Sequence, residues 1–390
     1  MIRALALALL LAAPAAARAP SLVPADAPEL AAPGPSPVGV RELKFTAAPG
    51  RTLGLTLFYP AATAGTPTSY LHTTANPPPG FPATLVFEAI ASADAAPATG
   101  PRLPLIILSH GGNRWSTHMS GIAENLASKG YVVASIDHDD KGWMNPATLP
   151  MAFATAFIRR SQDQRAAITH LTDFATTKDP LAARINAGNI AIIGYSMGGF
   201  GALATGGAGH ARQSPVLSQI PGNPMDSVLE GAKPAPGVRA LVLIAPWGGE
   251  PKVRSFTPTA LASLKMPTLW IMGDQDDIAG AQGIQWLHDQ ATSSDRRMLI
   301  FANARHNLGG NPPPASAPDT HRLRDAIDEP VWRKDMADAI IYRTLTAFLD
   351  LTLKNDAAKA EFLDPKDGNL KGFQPRWQLG LKATHSTPLP

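Results

Sequence analysis

Cysteine is absent from this 390-residue chain. Without thiols the protein can form no disulfide bond, carry no lipid on a cysteine and use no cysteine as a nucleophile or metal ligand. This composition suits export to a bacterial periplasm or medium, although by itself it identifies no compartment. Covalent catalysis by a side chain would therefore need a nucleophile other than a thiol.

An excess of charge of one sign is also missing. The 34 basic and 31 acidic residues give a net charge of +3, and removal of Arg3 and Arg18 with the leader described below brings the balance close to neutral. The sequence contains no basic run and no basic patch interleaved with aromatic residues. We therefore expect no nucleic-acid partner.

Apolar runs long enough to span a bilayer comfortably are lacking as well. The N-terminal run Ala4–Ala13 follows Arg3 and precedes small residues at 15–19 that fit a cleavage site. This pattern predicts a cleaved signal peptide over residues 1–19, with an uncleaved membrane anchor as the alternative. The mature protein is then expected to be periplasmic or secreted, with no stable membrane span after signal cleavage.

Pro-, Gly- and Ala-rich segments indicate the layout of the chain. Residues 20–37 predict a disordered lead-in, and residues 38–355 predict one domain with insertions at 61–104 and 206–237. The second insertion is interpreted either as a cap over the functional site or as a mobile loop. Residues 356–390 are predicted to form a C-terminal extension.

Two alternating segments, Val40–Phe45 and Leu53–Tyr59, predict an antiparallel hairpin at the start of the domain. Short apolar runs then alternate with helical patterns, which is typical of an open α/β sheet that is mostly parallel, with helices on both faces. The predicted parallel strands are Leu105–Leu108, Tyr131–Ile136, Ile190–Gly194, Ala240–Ile244, Thr268–Met272 and Met298–Phe301. The predicted helices are His118–Ser128, Arg159–Ala175, Met197–Thr205, Ala281–Gln290 and Lys334–Leu353.

The motif GYSMG at residues 194–198 is the one GxSxG in the sequence. It follows a predicted strand and opens a predicted helix, which is the context of a nucleophile elbow. The flanking glycines let strand and helix pass closely, and the helix N-terminus offers free N–H groups to an anion. The pattern predicts Ser196 as a catalytic nucleophile.

A serine nucleophile needs a base, and the base needs an orienting acid. In this fold class the chain order is serine, acid, histidine. The acid is predicted as Asp276, with Asp277 and then Asp274 as alternatives after the strand that ends near Met272. The base is predicted as His306, which follows the last strand of the parallel set.

Two backbone amides are predicted to form an oxyanion hole. They belong to Met197, directly after the serine, and to Gly112, in the loop after the Leu105–Leu108 strand. In that loop His110 is interpreted as a residue that shapes the backbone by a hydrogen bond. Trp115 and Trp247 are candidates for the wall of an acyl pocket, with a core or cap position as the alternative.

A metal site is the weaker hypothesis for this sequence. His138, Asp139 and Asp140 could ligate a cation, but no pair of histidines has the spacing of a helical zinc site. We therefore expect no metal, and the chemistry above requires no cofactor.

Several segments resemble a known family. LTLFYPA, PLIILSHGG, GYVVASIDH, RRSQDQRAAITHL, IAIIGYSMGG and PTLWIMGDQDD are similar, in order, to the platelet-activating-factor acetylhydrolase group and to bacterial proteins described as predicted dienelactone hydrolases, although the cysteine nucleophile of true dienelactone hydrolases is absent. The resemblance spans about residues 38–310. It implies an α/β-hydrolase fold, with Ser196, Asp276 and His306 as the catalytic residues and the amides of Gly112 and Met197 as the oxyanion hole.

The predicted function is that of an exported serine hydrolase that cleaves carboxylic esters, with a small-molecule or lipid ester as substrate. A peptidase or acyltransferase with the same catalytic residues is an alternative within this chemistry. A catalytically silent binding protein with the same fold is the alternative from another class.

Overall fold

The computed structural model describes residues 23–74, 77, 79–139, 149–216 and 228–389, and the side chains of 149–155 are excepted. The predicted signal peptide, Asp140 and residues 217–227 of the second insertion lie outside the described residues. Within them, no helix is both long enough and apolar enough to cross a membrane.

A ten-stranded sheet forms the centre of the described structure, in the order β12-β11-β10-β9-β8-β6-β7-β2-β1-β5. The six strands from β7 to β11 in this order pair in parallel. The N-terminal strands β1 and β2 are antiparallel to each other, and β2 is antiparallel to β7. The strands are β1 Val38–Ala48, β2 Arg51–Pro60, β3 Ser69–Thr73, β4 Thr84–Glu88, β5 Ser92–Ala93, β6 Leu103–Ser109, β7 Val132–Asp137, β8 Ile185–Tyr195, β9 Val238–Ile244, β10 Thr268–Gly273, β11 Arg296–Phe301 and β12 Leu381–Ser386.

Eight α-helices accompany the strands in the described part of the chain and cover both faces of the sheet. Helix α1 packs against α7, and α2 packs against α3. The helices are α1 Ser120–Ser128, α2 Leu149–Phe174, α3 Met197–Thr205, α4 Pro258–Ala262, α5 Ala281–Gln290, α6 His321–Ile327, α7 Lys334–Leu353 and α8 Pro375–Gln378.

The apolar runs of the sequence become the buried strands of this sheet. Leu105–Leu108 of β6 and Ile190–Ile193 of β8 are fully buried, as expected for parallel strands covered on both faces. From β1 to β11 the spatial order β1-β2-β7-β6-β8-β9-β10-β11 is that of the α/β-hydrolase fold, which confirms the predicted fold class. Helices α3, α5 and α7 have the predicted bounds, whereas α2 begins ten residues before the predicted Arg159.

The predicted disordered lead-in differs from the structure. Residues 23–37 are described, and Ala31 is fully buried. The end of α1 holds this segment, because the Gly34 amide donates to Ser128 Oγ at 2.7 Å and Lys129 Nζ donates to the Leu30 carbonyl at 2.6 Å. Composition indicated disorder, but these backbone contacts and the buried Ala31 anchor the segment.

The segments outside the alternating pattern also contribute structure. Within residues 61–104, β3 and β4 form a separate two-stranded sheet, and β5 pairs with β1. Within residues 356–390, β12 pairs antiparallel with β11 and forms an edge of the main sheet. The predicted insertion and extension are therefore attached directly to the central sheet.

Candidate active site

Ser196 lies in a strained turn between β8 and α3. Its backbone has φ 55° and ψ −115°, a region that a non-glycine residue rarely adopts. A Cβ on Gly194 would lie 2.4 Å from the Gly198 carbonyl oxygen, and a Cβ on Gly198 would lie 1.9 Å from the Ser109 carbonyl oxygen. Glycine at both positions is therefore required for strand, turn and helix to approach this closely.

His306 connects Ser196 to Asp276. His306 Nε2 lies 2.9 Å from Ser196 Oγ, and His306 Nδ1 lies 2.8 Å from Asp276 Oδ2. A carboxylate accepts hydrogen bonds, so the imidazole proton belongs on Nδ1 and Nε2 can accept the serine hydroxyl proton. We call Ser196, His306 and Asp276 the cavity triad.

Asp276 is fixed by its own turn. Its Oδ1 accepts hydrogen bonds from the amides of Ile278 at 3.0 Å and Ala279 at 2.8 Å, which leaves Oδ2 for the histidine. The two alternative acids lie elsewhere: Asp277 is half exposed and pairs with Arg305, and Asp274 accepts from the Asn303 amide. The hydrogen bond from Arg305 holds the pKa of Asp277 below its ordinary value.

A cavity of about 320 Å³ opens over the cavity triad and is lined by Ser196 and His306. Gly112 and Met197 line the same cavity. Met197 is the first residue of α3, so its N–H belongs to the unpaired N-terminal turn of that helix. The structure thus brings both residues predicted for the oxyanion hole next to the serine.

The two candidate tryptophans have different positions. Trp247 lines the cavity and contacts Phe157, with ring centroids 4.3 Å apart. Trp115 does not line it but stacks on His72 at 3.6 Å and contributes to a separate cavity beside β3. Trp115 therefore has the alternative, buried position, because the insertion at 61–104 supplies a ring on which it packs.

Charged side chains contribute to the lining of the cavity. The Arg305 guanidinium is held between Asp277 and Asp325, and these hydrogen bonds raise its pKa. Arg114 donates to the Ala326 carbonyl at 2.5 Å, and burial lowers its pKa. The cavity lining therefore combines the uncharged Ser196 and Met197 with the ion pairs of Arg305.

Part of the sequence matches known proteins. The chain is similar to the platelet-activating factor acetylhydrolases. The model of the family "Platelet-activating factor acetylhydrolase, isoform II" matches residues 86–164. This segment includes β6, β7 and the Gly112 loop, and it ends before Ser196.

A curated relative gives the same result. The platelet-activating factor acetylhydrolase of Bos taurus is 28% identical over 144 residues, a match that covers 27% of this chain and 32% of the bovine protein. The matched segment spans about a third of that relative's length. The likeness to acetylhydrolases therefore concerns part of each chain.

The segment that matches the acetylhydrolase family contains a second group of three residues that the sequence analysis did not link. Ser109 Oγ lies 2.9 Å from His138 Nε2, and His138 Nδ1 lies 2.9 Å from Asp163 Oδ2. All three side chains are nearly fully buried, and Arg51 forms two hydrogen bonds to Asp163. We call Ser109, His138 and Asp163 the buried triad.

The weaker metal hypothesis concerns His138, Asp139 and Asp140. His138 instead contacts Ser109 and Asp163. Among the residues that the structure describes, no group of three or more histidine, cysteine, aspartate or glutamate side chains is arranged to hold a metal ion.

Proposed function

We propose that this protein is an exported serine hydrolase that cleaves carboxylic esters through the cavity triad. The observation that supports it most strongly is the unbroken chain Ser196 Oγ–His306–Asp276, with distances of 2.9 and 2.8 Å, in which Ser196 and His306 line a cavity. The partial likeness to acetylhydrolases supports the same class of reaction.

The proposed acylation step uses His306 as a general base. As Ser196 Oγ forms a bond to the ester carbonyl carbon, its proton moves to His306 Nε2. The imidazolium is stabilised by Asp276 through Nδ1–H. The carbonyl oxygen gains the negative charge, and the amides of Gly112 and Met197 donate hydrogen bonds to it.

Collapse of the tetrahedral intermediate breaks the bond to the alcohol oxygen, which takes the proton from His306. Water then enters, gives a proton to His306 and attacks the acyl carbon. A second tetrahedral intermediate releases the carboxylic acid and returns the proton to Ser196. Atoms and charges balance over the two steps without a cofactor.

The size of the cavity favours esters with short acyl chains. A volume of about 320 Å³ is near the lower end for sites that enclose small molecules. We expect kcat/KM to fall along a series of p-nitrophenyl esters from acetate to dodecanoate. A maximum at dodecanoate would contradict this substrate class.

Export is proposed from the N-terminal pattern Arg3, Ala4–Ala13 and the small residues at 15–19. N-terminal sequencing of protein secreted or released from the periplasm is expected to begin within residues 16–20. Retention of Met1 in the mature protein would contradict export with cleavage.

The decisive experiment is replacement of the nucleophile. Ser196→Ala is expected to lower kcat for p-nitrophenyl acetate by about 10³-fold or more, and to abolish labelling by a fluorophosphonate probe. The exposed Ser316 offers a matched control, since Ser316→Ala removes the same atoms at a residue that is not among the described residues lining the cavity. Equal rates for parent and Ser196→Ala would contradict the proposal, and absence of labelling in the parent would favour the silent binding protein.

A further inference from the structure

We infer that His110 and Arg160 are positioning residues that aim the Gly112 amide at the reacting carbonyl, by holding the carbonyl oxygen of Gly111 from behind. The inference rests on the proposed function. It assigns a role to two buried side chains that do not themselves contact the substrate.

Two donors converge on one backbone oxygen. His110 Nδ1 lies 2.7 Å from the Gly111 carbonyl oxygen, and Arg160 Nη2 donates to the same oxygen at 3.1 Å. Both side chains are 1% exposed and are not among the described residues that line the cavity. The Gly111 carbonyl therefore points into the protein.

The planar peptide unit transmits this orientation to Gly112. In a trans peptide the C=O of one residue and the N–H of the next point in opposite directions. Because the Gly111 carbonyl is directed towards the buried donors, the Gly112 N–H is directed to the opposite side. That side is the cavity, which both glycines line together with Ser196.

The protonation of His110 is set by a third contact. The His138 amide donates to His110 Nε2 at 3.2 Å, so Nε2 is the acceptor and Nδ1 carries the proton. Burial, reinforced by the nearby Arg160 charge, holds the pKa of His110 well below its ordinary value. The neutral ring has one N–H, and the geometry directs it to the Gly111 carbonyl.

The Gly111–Gly112 peptide needs such support because its two glycines have no side chains to restrict it. A Cβ on Gly111 would lie 3.0 Å from the Tyr195 ring and 3.2 Å from Ser196 Cβ. Only glycine fits comfortably beside the nucleophile, and glycine has the greatest backbone freedom of any residue. The His110 and Arg160 side chains therefore restrict the peptide.

Helix α2 holds both sides of the predicted oxyanion hole. Arg160 reaches the Gly111 carbonyl, and one turn later Gln164 Nε2 donates to the Gly198 carbonyl at 2.9 Å, in the first turn of α3. A single rigid element thus fixes the distance between the loop that carries Gly112 and the helix that begins with Met197.

Two substitutions of His110 separate its contacts. The side-chain nitrogen of asparagine occupies the place of Nδ1, so His110→Asn keeps the donor to Gly111 and loses the acceptor for the His138 amide. The oxygen of glutamine reaches the place of Nε2, so His110→Gln keeps that acceptor and loses the donor. We expect kcat to fall about 10- to 100-fold in His110→Gln and several-fold less in His110→Asn.

The readouts are chosen to distinguish positioning from general damage. KM for p-nitrophenyl acetate and the melting temperature are expected to be similar in the two variants. Affinity for a trifluoromethyl ketone, which forms an oxyanion on Ser196, is expected to fall in parallel with kcat. Equal kcat in the two variants, or a greater loss in His110→Asn, would overturn the inference.

A second pair applies if the His110 variants do not fold. Arg160→Lys keeps a donor and the charge, whereas Arg160→Met keeps the stem alone. Here kcat is expected to fall about tenfold in Arg160→Met and to be partly restored in Arg160→Lys; folded variants with equal kcat would overturn the inference. Full activity in Ser196→Ala would instead contradict the proposed function, independently of His110 and Arg160.

Discussion

The cavity triad and the buried triad contain the same three side-chain types with almost the same distances. The serine–histidine distance is 2.9 Å in both, and the histidine–aspartate distances are 2.8 and 2.9 Å. They differ in their surroundings. Ser196 is 8% exposed at a cavity and has a strained backbone, whereas Ser109 is fully buried as the last residue of β6.

The acids differ as well. Asp163 accepts hydrogen bonds from the oppositely charged Arg51 guanidinium. The Asp276 oxygen that does not contact His306 accepts instead from two backbone amides. A buried serine without room for a carbonyl carbon beside it cannot act as a nucleophile, however well its histidine is oriented. Access and backbone geometry, rather than the three side chains, therefore decide which group can react.

The largest effect is expected from exchanging each histidine for a ring without nitrogens. In His306→Phe, kcat for p-nitrophenyl acetate should fall by about 10⁴- to 10⁶-fold, because the serine loses its base. In His138→Phe, kcat should change by less than about tenfold while the melting temperature falls. Steady-state kinetics and thermal unfolding of both variants measure these opposite effects on kcat and on the melting temperature. Equal losses of kcat would contradict the conclusion that only the cavity triad reacts.

The aspartates should separate activity from stability. Asp276→Asn is expected to lower kcat by about 10⁴-fold, because the amide favours the wrong histidine tautomer. Asp163→Asn should lower the free energy of unfolding by about 3 kcal/mol, since the Arg51 guanidinium would then face a neutral amide in place of a carboxylate. This value is at the low end of the losses expected when a buried ion pair is broken, because the Arg51 side chain is 16% exposed.

Urea unfolding and kinetics on the same preparations test this pair. An unfolding midpoint for Asp163→Asn equal to that of the parent would show that the Arg51 pair contributes little. A normal kcat in Asp276→Asn would remove Asp276 from the proposed mechanism.

Acid should remove the contribution of Asp163. Burial alone would raise the pKa of this carboxyl, but hydrogen bonds from Arg51 and His138 outweigh burial and lower it from the ordinary value of 3.8. A lowered pKa contributes stability above the ordinary value, and this contribution is lost as the pH falls through the native pKa. The difference in melting temperature between parent and Asp163→Asn should therefore be constant from pH 5 to 7 and narrow below about pH 4. A difference that stays unchanged down to pH 2.5 would contradict this assignment.

The smallest effect is expected for the buried serine. Ser109→Ala should lower the free energy of unfolding by about 1 kcal/mol, the typical contribution of one hydrogen bond. Fluorophosphonate labelling and kcat should remain within about threefold of the parent. Loss of labelling in Ser109→Ala would mean that the buried triad contributes directly to the reaction.

Much of the candidate site is local in sequence and was therefore predictable. GYSMG follows a buried strand, and His306 follows the last parallel strand, so strand ends alone place them on one edge. The sequence alone leaves three candidates for the acid, because Asp274, Asp276 and Asp277 lie within four residues. The contact of Asp276 with His306 depends on the turn at Gly273, where a Cβ would lie 2.2 Å from the Ala304 carbonyl oxygen.

The buried triad could not be predicted in the same way. Ser109 is the last residue of β6, His138 directly follows the neighbouring strand β7, and Asp163 comes from the middle of α2, so no single spacing links them. Their contact depends on the register between β6 and β7 and on how far α2 extends. Likewise, the position of Trp115 depends on where the β3–β4 hairpin packs, and nothing in the local pattern around Trp115 indicates His72.

Strand β12 covers one side of β11 at an edge of the main sheet, although its own residues are mostly polar. Its residues LKATHS carry little apolar surface, yet they pair with all six residues of β11. An uncovered β11 would present open backbone donors and acceptors to other molecules of the same protein. Shortening the chain before Leu381 should thus produce protein that self-associates on storage even where its catalytic rate is intact.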